Sequence, residues 1–349
     1  MKEYELTRKD TKMLQGIAIV LMLTLHLFCR LDWKGLFQPI VFIRGIPLTY
    51  YLAQMSDCCV MIYAFCSGYG HYVSNVEGKV TYSSRLKKLF MFLINYWIVV
   101  SMFVILGLLI GTKDIPGNVL DVIGNYTALN ETYNGTWWYV LASIIVVLLS
   151  PILIKCVRKK SYLTLVLFGV LYCMGYFLRY NMGTDTPFAD WGVERTGKIL
   201  MTLFEYVLGC VCCKEKIVSR IINVLNRFNR AVVGISILFV FVGVTYVHTI
   251  LIGSMIIAPF IGMFFIIVFK WCKKPIVLEK TLLYLGFHST NIWLTHAFFA
   301  KPLFNDIVYK LQYPIFMFIG MLGFSIIASY MINVLYIPLA RQLKKCGIC

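Results

Sequence analysis

Apolar runs of membrane-spanning length recur along the whole chain, and they constrain the fold more than any other feature. A helix needs about 20 apolar residues to cross the hydrocarbon core of a bilayer. Ten segments approach that length, namely residues 13–30, 56–76, 89–111, 136–156, 162–179, 198–213, 231–249, 251–270, 281–303 and 313–338. Of the 349 residues only 14% are charged, whereas about a quarter are charged in a soluble domain. The sequence therefore predicts an all-α, polytopic transmembrane bundle of about ten spans, forming a single domain over residues 1–349.

The basic residues are divided unevenly between the two sides of this predicted bundle. The N-terminus, alternate connecting segments and the C-terminal tail together hold 24 of the 33 Lys and Arg residues. Because short loops rich in Lys and Arg stay in the cytoplasm, both termini are predicted to be cytoplasmic. The net charge of +17 is spread over six short segments, where it faces anionic lipid headgroups. Membrane lipids are therefore expected partners, and nucleic acid is not.

The twelve cysteines lie mostly within the apolar segments. Their spacing does not match the paired pattern of a secreted disulfide framework. Free cysteine packs between helices as a small apolar residue. We interpret the cysteines as packing residues, and no metal site is predicted.

Ionisable residues inside the predicted spans are candidates for function, because a charged group is costly in the membrane. Six residues in or near the outer halves of the spans are expected to surround one cavity open to the outside: His26, Asp57, Glu205, His296, Arg30 and Arg179. For a single histidine, a hydrogen bond between packed helices is the simpler explanation. Two histidines together with a carboxylate near the middle of a span favour a site.

Polar and small residues at the predicted cytoplasmic ends indicate where an elongated ligand would enter. Gln15 precedes His26 by eleven residues, which places both on one helical face about 16 Å apart. Ser67 and the glycine after it leave room for a close helix approach or for a ligand. Arg85 and Lys88 are three residues apart on one helical face, where they would hold phosphates. Simple anchoring of a cytoplasmic loop explains this basic pair equally well.

Four motifs together resemble acyltransferase family three, the ten-helix membrane O-acyltransferases that modify surface glycans in bacteria. They are LQGIAIVLMLTLH (14–26), VMIYAFCSGYG (60–70), GTWWYVLASI (135–144) and STNIWLTH (289–296). The order and spacing of these motifs, with the helix count, extend the resemblance over nearly the whole chain. One position departs from the family pattern, since Gln15 replaces the usual basic residue of the first helix. Lys12, one turn earlier, or the Arg85 and Lys88 pair would then supply the charge.

The resemblance implies acyl transfer from a cytoplasmic acyl-CoA, with acetyl-CoA as the expected donor, in the plasma membrane of a bacterium. The acceptor would be a hydroxyl of an extracytoplasmic glycan or lipid-linked sugar, and no cofactor would be bound permanently. His26 would act as the general base or form an acyl-histidine intermediate, with Asp57 or Glu205 orienting its ring. The residues expected to bind the acyl donor are Gln15, Ser67, Arg85 and Lys88. The residues expected to position the acceptor or to pack the helices are His296, Arg30 and Arg179.

Two other functional classes remain open from the sequence. Intramembrane ionisable residues would equally serve a transporter of a small polar solute such as an amino acid. Against this, the two halves show no inverted repeat and no matching pair of spans broken by Gly or Pro, which are the usual marks of such transporters. A catalytically inactive scaffold is the third class.

Overall fold

Helices form nearly all of the regular structure. The computed structural model describes residues 5–76, 81–181, 187–250, 254–300 and 305–346, and these residues are mostly helical. The α-helices in these ranges are α1 (Arg8–Phe28), α2 (Leu48–Met55), α3 (Cys59–Val76), α4 (Tyr82–Ile110), α5 (Val119–Tyr126), α6 (Trp138–Lys159), α7 (Ser161–Asn181), α8 (Pro187–Lys214), α9 (Ile217–Leu225), α10 (Arg230–Ile250), α11 (Ala258–Trp271), α12 (Ile276–Ala300), α13 (Asn305–Tyr309) and α14 (Pro314–Lys345). Two short strands, β1 (Phe42–Ile43) and β2 (Ile46–Pro47), pair in an antiparallel hairpin. The predicted all-α class is confirmed.

Seven segments of the described chain have the length and apolar composition to cross a membrane. They are Arg8–Phe28, Tyr82–Ile110, Gly135–Lys159, Ser161–Arg179, Asp190–Lys214, Arg230–His248 and Pro314–Lys345. The chain is therefore an integral membrane protein with a polytopic bundle. The count of ten spans and the cytoplasmic position of both termini stay predictions.

Three further helices, α3, α11 and α12, occupy the remaining predicted spans. Helix α11 is short, with 14 residues. Helices α3 and α12 are 18 and 25 residues long, but polar side chains such as His71, Asn291 and His296 make them less apolar. Helix α3 carries the VMIYAFCSGYG motif and α12 carries the STNIWLTH motif, as expected if their polar residues serve a site.

The chain divides into two compact units. The first unit comprises residues 1–25, 51–79 and 149–287, and in it α8 packs against both α3 and α7. A Cβ atom at Gly68 would collide with the backbone of Tyr206, and one at Gly209 with the backbone of Phe65. Glycine is therefore required where α3 crosses α8, which confirms close helix approach as one use of the glycine after Ser67.

Buried cysteines belong to the same packing in the first unit. Cys58, Cys59, Cys66, Cys210 and Cys212 are all buried. The thiol of Cys210 donates to the carbonyl oxygen of Gly68 at 3.3 Å, across the contact between α3 and α8. This placement agrees with the interpretation of these cysteines as packing residues.

The second unit comprises residues 26–50, 80–148 and 288–349. Helix α14 packs against α4 and α13, and α4 also contacts α5. The rings of Phe103 on α4 and Phe298 on α12 stack with centroids 3.7 Å apart. These contacts build an aromatic core next to the last turns of α12.

Candidate active site

The side chains of His26 and His296 are hydrogen-bonded to each other in the second unit. Nδ1 of His26, in the last turn of α1, lies 3.3 Å from Nε2 of His296 on α12. The ring centroids are 4.8 Å apart and the planes meet at 63°. His296 is fully buried, while His26 is exposed. The pair therefore consists of an accessible imidazole supported by an inaccessible one.

The surroundings of His296 fix the tautomer of both rings. Nδ1 of His296 lies 3.1 Å from the carbonyl oxygen of Ile292 and 2.8 Å from that of Trp293. A carbonyl oxygen only accepts, so this Nδ1 must carry a proton. Full burial disfavours a charged imidazolium, so Nε2 of His296 carries a lone pair and accepts from Nδ1–H of His26. In the neutral form of His26, the remaining nitrogen, Nε2, then carries the lone pair that a general base or nucleophile requires.

The 3-10 turn Gly135–Trp137, directly before α6, and the preceding Asn134 hold the part of α12 that carries His296. The side-chain amide of Asn134 donates to the carbonyl oxygen of Leu294 at 3.1 Å, and Nε1 of Trp137 donates to the same oxygen at 3.0 Å. In return, Nε1 of Trp293 donates to the carbonyl oxygen of Thr136 at 3.2 Å. These bonds join the GTWW motif to the STNIWLTH motif. They also explain why a tryptophan-rich motif accompanies the histidine motif in this chain.

A buried chain of amides continues from α12 into α4 and α14. Asn95 donates from Nδ2 to Oδ1 of Asn291 at 2.6 Å, and Asn291 donates to Oδ1 of Asn333 at 3.2 Å. These asparagines were not predicted as site residues, because the candidates inside the spans were chosen mainly for their charge. The position of each asparagine inside an apolar segment was the available signal, since a buried amide needs a partner.

Arg30 belongs to the same unit as the histidine pair, just beyond the end of α1. Its guanidinium forms a bidentate contact with Asp32, at 2.9 Å and 2.6 Å, and donates to the hydroxyl of Tyr309 at 3.1 Å. The hydrogen bonds that the guanidinium donates to Asp32 raise the pKa of Arg30 above its ordinary value, so this group is a permanent cation. Its role toward an acceptor stays a prediction.

Asp57 is paired with a histidine that sequence reasoning missed. Asp57 lies in the 3-10 turn Ser56–Cys58 of the first unit, and its Oδ2 is 3.2 Å from Nε2 of His248 in the last turn of α10. Both side chains are buried. The position of His248 at the end of a predicted span could have marked it as a candidate.

Glu205 and Arg179 also lie in the first unit. Glu205 is buried on α8 and interacts electrostatically with Asp57 and Arg179. Its Oε2 atom has no hydrogen-bond partner within the described ranges. His26 and His296 belong to the second unit, and His296 takes the position on His26 that had been expected for a carboxylate. The single cavity and the orientation of His26 by Asp57 or Glu205 stay predictions.

The residues predicted to bind the acyl donor occupy different environments. Lys12 donates from Nζ to Oε1 of Gln15 at 2.9 Å, so an ammonium group is held at the position where the sequence lacks a charge. Ser67 is half-buried on α3. Arg85 is buried on α4, at 4% exposure, while Lys88 on the same helix is exposed and lines a cavity. The two basic residues thus do not share one exposed surface, and their joint role stays a prediction.

One comparison with known proteins covers almost the entire chain. A family model described as an acyltransferase domain, that of acyltransferase family 3, matches residues 11–334. The matched range includes all four motifs and both histidines of the pair. Neither the curated proteins nor the solved structures gave a match.

Proposed function

Because this chain belongs to acyltransferase family 3, and is thus a membrane acyltransferase, we propose that it moves an acetyl group from acetyl-CoA to a sugar hydroxyl. The donor would be bound from the cytoplasm. The acceptor would be an extracytoplasmic glycan or a lipid-linked sugar in the envelope of a bacterium. The observation that carries the proposal is the hydrogen bond between His26 and His296.

The tautomers of this pair suit His26 for general-base catalysis. Nε2 of His26 takes the proton of the acceptor hydroxyl while the hydroxyl oxygen attacks the thioester carbonyl. The resulting tetrahedral intermediate collapses, the carbon–sulfur bond breaks, and the imidazolium returns the proton to the CoA thiolate. The products are the sugar ester and CoA.

His296 contributes as a positioning residue. As His26 gains a proton, its Nδ1–H becomes a stronger donor toward Nε2 of His296, so the hydrogen bond stabilises the charged ring. The role resembles that of the carboxylate in a Ser-His-Asp triad, although a neutral imidazole gives weaker stabilisation. An acyl-histidine intermediate on Nε2 of His26 is the alternative route and uses the same lone pair.

Lys12 and Gln15 support the proposed binding of the donor. Their hydrogen bond at 2.9 Å places an amide and an ammonium group together, and both can donate to a phosphate or carbonyl oxygen. Ser67, Arg85 and Lys88 are proposed donor contacts on the sequence resemblance.

The test is acetyl transfer by the purified protein in proteoliposomes. Acetyl-labelled acetyl-CoA is supplied with a lipid extract or glycan fraction from the source envelope, and mass spectrometry identifies the acetylated sugar. The parent protein and a His288→Gln control, altered on the same helix away from the pair, are expected to form the ester. His26→Gln is expected not to. Uptake of a labelled amino acid without any transfer by the parent protein would instead support a transporter.

A further inference from the structure

A basic groove lies between two helix ends of the second unit that are far apart in sequence. The cavity has a volume of about 630 Å³, within the range of small-molecule sites. Its lining residues are Ser84, Lys87, Lys88, Met91, Tyr336, Ile337, Ala340, Arg341 and Lys344. Four of them are cations, two from the beginning of α4 and two from the end of α14. None of these lining residues is acidic.

Lys87 and Lys88 lie in the second turn of α4, and both side chains are exposed. Helix α4 starts at Tyr82, and its first turn contains no acidic residue. An anion in the groove would offset the mutual repulsion of the four lining cations.

The two cations on α14 add to the same positive potential. Arg341 and Lys344 are three residues apart, one turn of the helix, and both side chains are exposed. They suit the C-terminus of their own helix, but the fold also brings them beside two further cations in a concave site. Such a convergence favours an anion with more than one negative charge. The apolar floor formed by Met91 and Ile337 would accept an uncharged part of the same ligand.

We infer that Lys87, Lys88, Arg341 and Lys344 form a binding site for an organic phosphate. Two sources share this chemistry, namely the nucleotide phosphates of an acyl-CoA and the phosphodiester headgroup of an anionic lipid. The acyl-CoA source rests on the proposed function. The site would add the C-terminal helix, through Arg341 and Lys344, to the contacts that hold the donor.

The test uses the full chain in nanodiscs of phosphatidylcholine, with adenosine 3′,5′-bisphosphate as a soluble probe that lacks the thioester arm. Calorimetry measures its dissociation constant for the parent protein and for two double variants, Lys87→Gln with Lys88→Gln and Arg341→Gln with Lys344→Gln. Native mass spectrometry of the detergent-solubilised proteins measures retained phosphatidylglycerol. Lys159→Gln with Lys160→Gln is the matched control, since it removes two exposed cations at the end of another helix.

If the groove binds a nucleotide, each groove variant should raise the dissociation constant of the bisphosphate by at least ~10-fold. The loss of one hydrogen bond to a charged group is sufficient for a change of that size. The control should bind like the parent. A lipid site predicts no bisphosphate binding but loss of retained phosphatidylglycerol in the groove variants alone. Binding of both probes unchanged by all the variants would overturn the inference. Acyl transfer by the parent protein is measured separately, so a failure of the proposed function would be distinguished from an empty groove.

Discussion

Nδ1 of His26 donates to Nε2 of His296 across 3.3 Å, from the last turn of α1 to α12. The backbone carbonyls of Ile292 and Trp293 hold the proton of His296 on its other nitrogen. One ring therefore sets the tautomer of the other. This relationship predicts different consequences for the loss of each histidine.

His296→Ala is expected to lower the turnover of acyl transfer by roughly 10–100-fold. The variant removes a hydrogen bond to a ring that becomes charged, and such a bond is worth about 1.5–3 kcal/mol. His296→Gln should recover part of the loss, because its amide oxygen can accept from His26. Steady-state kinetics and acyl-CoA binding separate turnover from affinity, and only turnover should change. Turnover of His296→Ala equal to that of the parent would show that His296 serves packing alone.

Trp137→Phe is expected to lower acyl transfer by loosening the part of α12 that carries His296, although Trp137 itself takes no part in the reaction. The variant keeps most of the ring but loses the hydrogen bond to the carbonyl oxygen of Leu294, at a cost of about 0.5–1.5 kcal/mol in the free energy of unfolding. Trp97→Phe is the control, since Nε1 of Trp97 donates to the carbonyl oxygen of Tyr126 at 2.9 Å. Thermal unfolding should show similar losses for both variants, whereas acyl transfer should fall only in Trp137→Phe. Equal transfer rates would rule out this role for the GTWW motif.

The sequence was sufficient to predict what is local to one helix. Apolar runs predicted the class and the helical segments, because bilayer length is a property of consecutive residues. The motifs also marked His26 and His296 separately. Their mutual hydrogen bond was not predicted, since it depends on how α1 meets α12.

Contacts between helices that are distant in the chain could not be predicted from the sequence, because no local pattern of residues encodes them. The pairing of Asp57 with His248 joins residues 191 positions apart, and no local pattern connects them. Arg341 and Lys344 counted in the sequence only as basic residues of the C-terminal tail. Their proximity to Lys87 and Lys88 arises only when α14 packs against α4. Arg85 and Lys88 were expected on one helical face, where they would hold phosphates together, but Arg85 is buried and Lys88 is exposed.

The buried pair of Asp57 and His248 is expected to stabilise the first unit more than it affects catalysis. Asp57→Asn and His248→Gln should each destabilise the protein by about 1–3 kcal/mol, because the buried partner loses its hydrogen bond. The double variant should lose less than the sum of the two, since both substitutions break the same contact. Unfolding of the parent, the single variants and the double variant gives the coupling free energy.

Acyl transfer by the same variants tests the role predicted for Asp57 from the sequence. If Asp57 orients His26, Asp57→Asn will lower turnover as strongly as His26→Ala without loss of stability. Additive changes in unfolding free energy would contradict the stabilising pair.

Gln15→Lys is expected to increase the stabilisation that bound CoA gives to the protein. Nζ of Lys12 lies 2.9 Å from Oε1 of Gln15, so the substitution places two ammonium groups close together and lowers the unfolding temperature of the free protein. A bound CoA would neutralise the pair, so CoA should raise that temperature more in Gln15→Lys than in the parent. Gln15→Met is the uncharged control. An identical CoA-induced shift in all three proteins would remove Lys12 and Gln15 from the donor site.

Single-turnover acyl transfer by His26→Gln shows whether Nε2 of His26 accepts the proton of the acceptor hydroxyl. Preformed complex of the protein with labelled acetyl-CoA is mixed with acceptor, and the rate of ester formation is compared with that of the parent. If His26 is the general base, the variant should keep the acetyl-CoA affinity of the parent and form the ester ~10²–10⁴-fold more slowly, the usual contribution of a general base. A His26→Gln protein that forms the ester at the parental rate would contradict it, since glutamine keeps a hydrogen bond but cannot take the proton.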